Sequence, residues 1–272
     1  MKWRRSSIAT RRGSSAGERA LLRLGQNFLA DPNLLDAIVR ESETEPEDVV
    51  LEVGAGEGVL TERLADVARH VHAVEIDRGL DDALAAVAAR GKVTLHWGDA
   101  MKIDLTAFDP APTVMVANLP YSVATPVILR TEEALPDLRR WTVMVQREIA
   151  DRLRAEPGSR TYGSPTAILG QSAHVSMLRP VAAAVFKPRP RVASAVLRID
   201  RTGPPADAAT RALIRDAFAH RRKSLARSLE IAQPGRLEAA RTALEEMGLP
   251  ADARAERLSP GEFGELARRI GR

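Results

Sequence analysis

"VVLEVGAGEGVLTERLADVA", residues 49–68, changes character at its centre. Val49, Val50, Leu51 and Val53 make an apolar run of the length of a buried strand, and "GVLTERLADVA" reads as a helix. Between the two lie Gly54, Gly56 and Gly58. Glycine reaches positive φ without strain and lets a ligand approach the backbone closely. The spacing is G-x-G-x-G, not the G-x-G-x-x-G of a dinucleotide site. No Gly-Lys-Ser/Thr follows, so the loop is not a P-loop either. Taken alone, a tight strand-to-helix turn explains the glycines as well as a ligand cradle does.

Working outward, the alternation repeats. "VHAVEID", "VTLHWGD", "TVMVAN" and "WTVMVQ" read as strands, with helical runs "GLDDALAAVAAR" and "TPVILRTEEAL" among them. Short apolar strands alternating with helices predict a parallel sheet covered on both faces. "HVSMLRPV" and "SAVLRIDR" have no long helix between them and predict an antiparallel pair at the sheet edge. Upstream, Asp31 and Pro32 read as N-cap and first residue of a helix whose apolar positions are Leu34, Leu35, Ile38 and Val39. "RTGPPADAA" (201–209) is a Gly/Pro-rich break. Beyond it only helical patterns occur. One runs through "ATRALIRDAFAHRRKSLARSLE", a second through "GRLEAARTALEEMG", and a third starts at the capping box of Ser259, Pro260 and Glu262. The chain thus divides into an arm (1–24), an α/β domain (25–203) and a helical domain (204–272).

Composition narrows the classes. Of the 272 residues 44% are apolar and 28% charged, a globular balance, and no run approaches the ~18 apolar residues of a membrane span. There is no cysteine, hence no disulfide and no thiolate metal site. The five histidines are scattered and none sits in an HExxH pattern, so no metal is expected. The arm carries Lys2, Arg4, Arg5, Arg11, Arg12, Arg19 and Arg23 against one acid, Glu18, while the rest of the chain is near neutral. A polyanion-binding arm, a solvated tail and a transit peptide all fit that composition.

Two strand-end acids sharpen the glycine loop. Glu75 ends the second strand, where a carboxylate accepts two hydrogen bonds from ribose hydroxyls. Asp99 ends the third, where it serves either as a turn former or as acceptor for an adenine amino group. A glycine cradle with two acids and no phosphate grip describes a nucleoside without phosphate. S-adenosylmethionine is such a ligand, and its sulfonium suits an acidic pocket.

At the end of the fourth strand stand Asn118, Leu119, Pro120 and Tyr121. An adenine amino group is a poor nucleophile because its lone pair is delocalised into the ring. Two acceptors, the Asn118 side-chain oxygen and a backbone carbonyl exposed by the Pro120 turn, can hold its N–H bonds and turn the lone pair outward. Tyr121 can stack on the base, worth ~1–3 kcal/mol. Such catalysis is mostly orientation. The bland alternative is a structural turn with a buried tyrosine.

The tetrapeptide resembles the D/N-P-P-Y motif of amino-group methyltransferases. In its N-L-P-Y form it resembles the ribosomal RNA adenine dimethyltransferase family (the KsgA-like enzymes). "LGQNFL" (24–29), "VQREIADRL", "TYGSPTAILGQ", "VFKPRPRVASAVLRI", "FAHRRKSLARSL" and "RAERLSPGEF" are similar to that family's further motifs, in its order, over about residues 20–270. Ala55 stands where the family usually has proline, and Ser122 where asparagine is common. The resemblance implies a Rossmann-like class I S-adenosylmethionine-dependent methyltransferase with a mostly parallel seven-stranded sheet and a small C-terminal helical RNA-binding domain. It implies cofactor contacts at Asn27, Leu29, Gly54, Gly56, Glu75, Asp99 and Asn118. Asn118, Leu119, Pro120 and Tyr121 form the catalytic group, and Phe186 stacks on the flipped adenine opposite Tyr121. "FKPRPRV" is equally readable as an extended polyproline-type linker. Its Lys187, Arg189 and Arg191 suit phosphate contacts, as do Arg221, Arg222, Lys223 and Arg227 in the helical tail, where 223 and 227 are expected to share a face one turn apart. The implied reaction is N6,N6-dimethylation of two adjacent adenosines in a hairpin loop near the 3′ end of small-subunit rRNA. A cytoplasmic monomer acting on an immature 30S particle is expected. Two rivals remain: a large-subunit rRNA methyltransferase of the macrolide-resistance type, and a non-catalytic nucleic-acid-binding relative.

Overall fold

The computed structural model describes Phe28, Leu29 and residues 31–271. The basic arm and Asn27 lie outside them. The described chain opens with a two-residue strand, β1 (Phe28–Leu29), and a helix, α1 (Pro32–Ser42). The Asp31 carboxylate caps α1, accepting from the amides of Asn33 (2.9 Å) and Leu34 (3.2 Å), as the Asp-Pro pair predicts. Next come β2 (Val49–Val53), α2 (Val59–Val67), β3 (His70–Glu75), α3 (Asp81–Ala88), β4 (Val93–Trp97) and β5 (Val114–Asn118). These are followed by α4 (Ala124–Ala134), β6 (Arg140–Gln146), α5 (Arg147–Leu153), α6 (Ser164–Leu169), β7 (Ala173–Val181), β8 (Phe186–Lys187) and β9 (Ser194–Arg201).

Seven strands form one sheet in the order β4-β3-β2-β5-β6-β9-β7. β4, β3, β2, β5 and β6 are parallel, and β9 runs antiparallel between β6 and β7. The predicted antiparallel pair is present, but only β7 is an edge. The strand order reverses between β2 and β5, so the crevice beyond the carboxyl ends of those two strands is the topological switch point.

Alternate residues enter opposite faces, as the pleat requires. Leu51, Val53, Met115, Ala117, Val143 and Val145 pack against α4 and α5. Val50, Val71, Val114, Val116, Met144 and Val196 pack against α1, α2 and α3. β1 pairs antiparallel with β8, setting Leu29 opposite Phe186, and both side chains belong to this second cluster.

The C-terminal helices are α7 (Ala208–Ala219), α8 (Leu225–Ala232), α9 (Leu237–Glu246) and α10 (Pro260–Ile270), the last opened by the expected Ser259–Glu262 capping box. The pattern read as one helix through "ATRALIRDAFAHRRKSLARSLE" is broken. Lys223 N–H donates to the His220 carbonyl in a turn, and Ser224 then caps α8 through the Arg227 amide. A serine hydroxyl competes for backbone N–H groups and favours a helix start over an interior. Lys223 therefore sits in a turn and does not share a helical face with Arg227.

The helical unit has its own core, and that core extends past the Gly/Pro break. Tyr162, Ala167 and Ile168 pack with Ile214, Phe218, Leu225, Leu244 and Phe263. A buried ion pair also crosses the break: Arg211 on α7 donates to Glu132 on α4 at 2.7 Å, and the Ser172 hydroxyl donates to the same carboxylate.

Candidate active site

The parallel strands β4, β3, β2, β5 and β6 all end on one edge of the sheet, so Asp99, Glu75, Gly54, Asn118 and Gln146 follow one another along it. Gly54, Gly56 and Gly58 have φ of 80°, 58° and 81°, in the left-handed region. Close approach adds to the demand. A Cβ on Gly54 would lie 3.2 Å from Pro120 Cδ, and one on Gly58 would lie 2.9 Å from Val87 Cγ2. The glycine loop and the N-L-P-Y turn are therefore in contact.

Glu75 is buried and organises that loop. Its Oε2 accepts from the Gly56 amide (2.9 Å), and its Oε1 from the amides of Ile76 (2.8 Å) and Asp77 (2.9 Å). A carboxylate has about four acceptor positions, so capacity remains for a ligand hydroxyl. Asp99 forms a turn, accepting from the Met101 amide at 2.9 Å, with Lys102 3.7 Å away. Both readings of Asp99 thus remain compatible with its position.

The Asn118–Tyr121 turn is tied down on both sides. Leu119 N–H donates to the Met144 carbonyl (3.1 Å), and Val123 N–H to the Pro120 carbonyl (3.1 Å). Leu119 is buried, Asn118 and Tyr121 partly so. Asn118 lies opposite Met144, on the face that also carries Val116 and Val114. The Tyr121 hydroxyl meets the Ser194 hydroxyl at 2.6 Å. Burial raises the Tyr121 pKa and the bond to Ser194 opposes this, so the ring carries a neutral phenol.

Phe186 is only 2% exposed. It belongs to the apolar cluster with Leu29, Val181 and Val196, in this structure away from solvent. Lys187, Arg189 and Arg191 beside it are exposed, and form no ion pair among the described residues. In the helical unit Arg222, Lys223 and Arg227 are exposed, but Arg221 donates to the carbonyls of Arg160 (3.2 Å) and Tyr162 (3.0 Å).

Three neighbours escaped the sequence reading. Glu52 in β2 is 1% exposed and carries a buried oxygen, Oε2, without a hydrogen-bond partner. Burial pushes its pKa up to about 8, and the charge of Glu75 adds to that. The Thr61 hydroxyl, itself outside hydrogen-bond geometry, offsets only part. Its signal was an acid inside an apolar strand. Ile76, directly after Glu75, is apolar yet 55% exposed. Ser194 was legible only as part of its segment. Among the described residues no group of His, Asp and Glu is arranged to hold a metal, and no helix is long and apolar enough to cross a membrane.

The family model for ribosomal RNA adenine dimethylase matches residues 17–271. A ribosomal RNA small subunit methyltransferase A from Rubrobacter xylanophilus is 44% identical, over 91% of this chain and 94% of that protein. One from Acidothermus cellulolyticus is 42% identical, over 93% and 90%. Among solved structures, a dimethyladenosine transferase from Plasmodium falciparum superposes with a TM-score of 0.74 at 22% identity, over 88% of this chain and 95% of that one, and shares the fold. The 23S rRNA methyltransferase ErmE gives a TM-score of 0.67 at 26% identity, over 90% and 100%. With its glycine cradle, strand-end acids and N-L-P-Y turn gathered on one edge of a class I methyltransferase sheet, the chain belongs to the ribosomal RNA adenine dimethylase family.

Proposed function

We propose that this protein transfers methyl groups from S-adenosylmethionine to the amino groups of two adjacent adenosines in a small-subunit rRNA loop, two methyls to each. The observation that carries the reading is the contact between the glycine cradle and the Asn118–Tyr121 turn at the switch point, with Gly54 packed against Pro120. The cofactor fits the residues present. Gly54 and Gly56 allow close approach, Glu75 retains acceptor capacity, Ile76 offers an apolar ledge, and the orphaned Glu52 oxygen awaits a polar partner. Asp99 follows β4 on the same edge, and the resemblance adds Asn27 and Leu29 to the set. When bound, the cofactor supplies an electrophilic methyl group.

The protein's own part is orientation. The Asn118 side-chain oxygen accepts one adenine N–H, a carbonyl of the turn accepts the other, and Tyr121 fixes the ring plane. A loop is the natural target, because the base must leave its stack and unpaired RNA makes that cheapest. After the first transfer one N–H remains for one acceptor, and the new methyl occupies the side that the other acceptor served. Lys187, Arg189, Arg191, Arg222, Lys223 and Arg227 are the exposed charges available to phosphates. Arg221, engaged with two carbonyls, contributes to the fold of that surface instead.

The small-subunit reading is favoured over the large-subunit one by relatives at 42–44% identity bearing small-subunit names, against 26% for ErmE. Purified protein given methyl-labelled cofactor and either unmodified small-subunit or unmodified large-subunit particles tests it. Label is expected in small-subunit RNA. Label only in large-subunit RNA transfers the assignment to the rival enzyme, and cofactor binding without labelling of either supports the non-catalytic relative.

A further inference from the structure

Ser194 opens β9, opposite Gln146 of β6 and Val181 of β7, and is fully buried. The next residues of that strand, Ala195, Val196 and Leu197, are apolar. A strand at this place needs no hydroxyl, and a buried one is unfavourable unless it is hydrogen-bonded. Its partner is the Tyr121 hydroxyl, 73 residues away in sequence and 2.6 Å away in space. That bond holds the tip of the ring. The turn bonds of Leu119 and Val123 hold the backbone at its base, which leaves side-chain rotation as the freedom the serine removes. Burial keeps the phenol protonated, so the contact persists through the neutral range.

We infer that Ser194 is a positioning residue for methyl transfer: its hydroxyl fixes the Tyr121 ring in the orientation against which the target base stacks. For the identity of that base the inference rests on the adenine dimethyltransferase reading; the restraint on the ring does not. A second consequence follows from chain connectivity. The segment 186–194 is anchored at one end by Phe186 against Leu29 and at the other by Ser194 against Tyr121. Its exposed Lys187, Arg189 and Arg191 therefore lie on a segment tied at both ends, one of them to the Tyr121 ring.

The test compares the parent protein with Ser194→Ala, Ser194→Thr, Tyr121→Phe and the Ser194→Ala/Tyr121→Phe double variant. Loss of one neutral hydrogen bond that acts through orientation is expected to lower kcat on small-subunit particles by about three- to tenfold. KM for the particle and Kd for the cofactor should stay within about twofold of the parent. Tyr121→Phe should lose as much as Ser194→Ala, the double variant no more than either, and Ser194→Thr should recover most of the loss. A second readout needs no turnover. The chain has two tyrosines, so 3-fluorotyrosine labelling gives two fluorine signals, and Tyr121→Phe identifies one of them. Ser194→Ala should shift that signal and leave the Tyr162 signal in place. A shifted signal in a protein that methylates no small-subunit particle keeps the restraint and overturns the assigned reaction. Active particle methylation with an unmoved signal and unchanged kcat in Ser194→Ala, or single losses that multiply in the double variant, overturns the inference. Should Ser194→Ala not fold, Tyr121→Phe removes the same bond from the other side and decides the same question.

Discussion

Asn118 and Glu75 end β5 and β3, the two strands that flank β2, and the proposed reaction gives them different parts, so their variants should separate them. In the proposed reaction Asn118 holds the substrate amino group, so Asn118→Ala should cut turnover by about 10²-fold or more while leaving cofactor affinity nearly intact. Glu75 holds the cradle through the Gly56 amide and its own turn through those of Ile76 and Asp77, so Glu75→Ala should weaken cofactor binding and lower the melting temperature together. Calorimetry, melting curves and single-turnover rates check both; a Glu75→Ala protein with full cofactor affinity would contradict the assignment. Glu52 gives a pH signature. Folded, it keeps its proton to about 8, whereas an unfolded glutamate ionises near 4.5. Between those values the unfolded state sheds a proton that the folded state retains, so this group lowers stability as pH rises. The stability of Glu52→Gln relative to the parent should therefore increase from pH 4.5 to about 8 and level off beyond, as read by urea unfolding across that range. Asn118, Glu75 and the glycines were legible because strand ends and spacing mark them. Ser194 was not, since its meaning lies in a partner 73 residues away that only the fold supplies.

At the scale of elements, all seven sheet strands were readable from apolar runs, and α1 and α10 from their caps. The sequence does not reveal that β9 inserts between β6 and β7, because alternation within a strand carries no information about its neighbours. The β1–β8 ribbon was missed because two residues show no period. The break at Ser224 was missed because the apolar rhythm of α7 and α8 continues across it. Where elements meet, single positions matter. Gly170 follows α6 with φ of −68°, a conformation any residue adopts. Yet a Cβ there would lie 2.6 Å from Pro260 Cγ at the start of α10, where the Gln171 side chain also donates to the Pro260 carbonyl. Gly170→Ala should therefore destabilise by about 1–3 kcal/mol through overpacking alone. Denaturant melts check this, and an unchanged midpoint would show that the two helices move apart freely.

For the whole molecule, the helical unit is joined to the methyltransferase sheet by a shared core and by a buried ion pair. Arg211 and Glu132 are both nearly inaccessible, and removing Arg211 leaves the buried Glu132 carboxylate with the Ser172 hydroxyl and a more distant Arg201, 4.0 Å away. Arg211→Met should cost about 3–5 kcal/mol, and pairing it with Glu132→Leu should restore much of that loss. Two separate unfolding transitions for the parent, or a loss under about 1 kcal/mol for Arg211→Met, would refute the lock. The Gly/Pro break at 201–209 marks a change of architecture, and neither contact across it was legible, because the residues involved lie far apart in the chain. Through this join the helical unit that carries the exposed Arg222, Lys223 and Arg227 packs on the methyltransferase domain, as the proposed gripping of RNA by these residues requires. The most direct test of the account is mass spectrometry of nucleosides and oligonucleotides from unmodified small-subunit particles treated to completion with the purified protein. The account predicts N6,N6-dimethyladenosine at two adjacent positions of one loop, abolished by Asn118→Ala; N6-monomethyladenosine as the end product, or no methylation of small-subunit RNA, would contradict it.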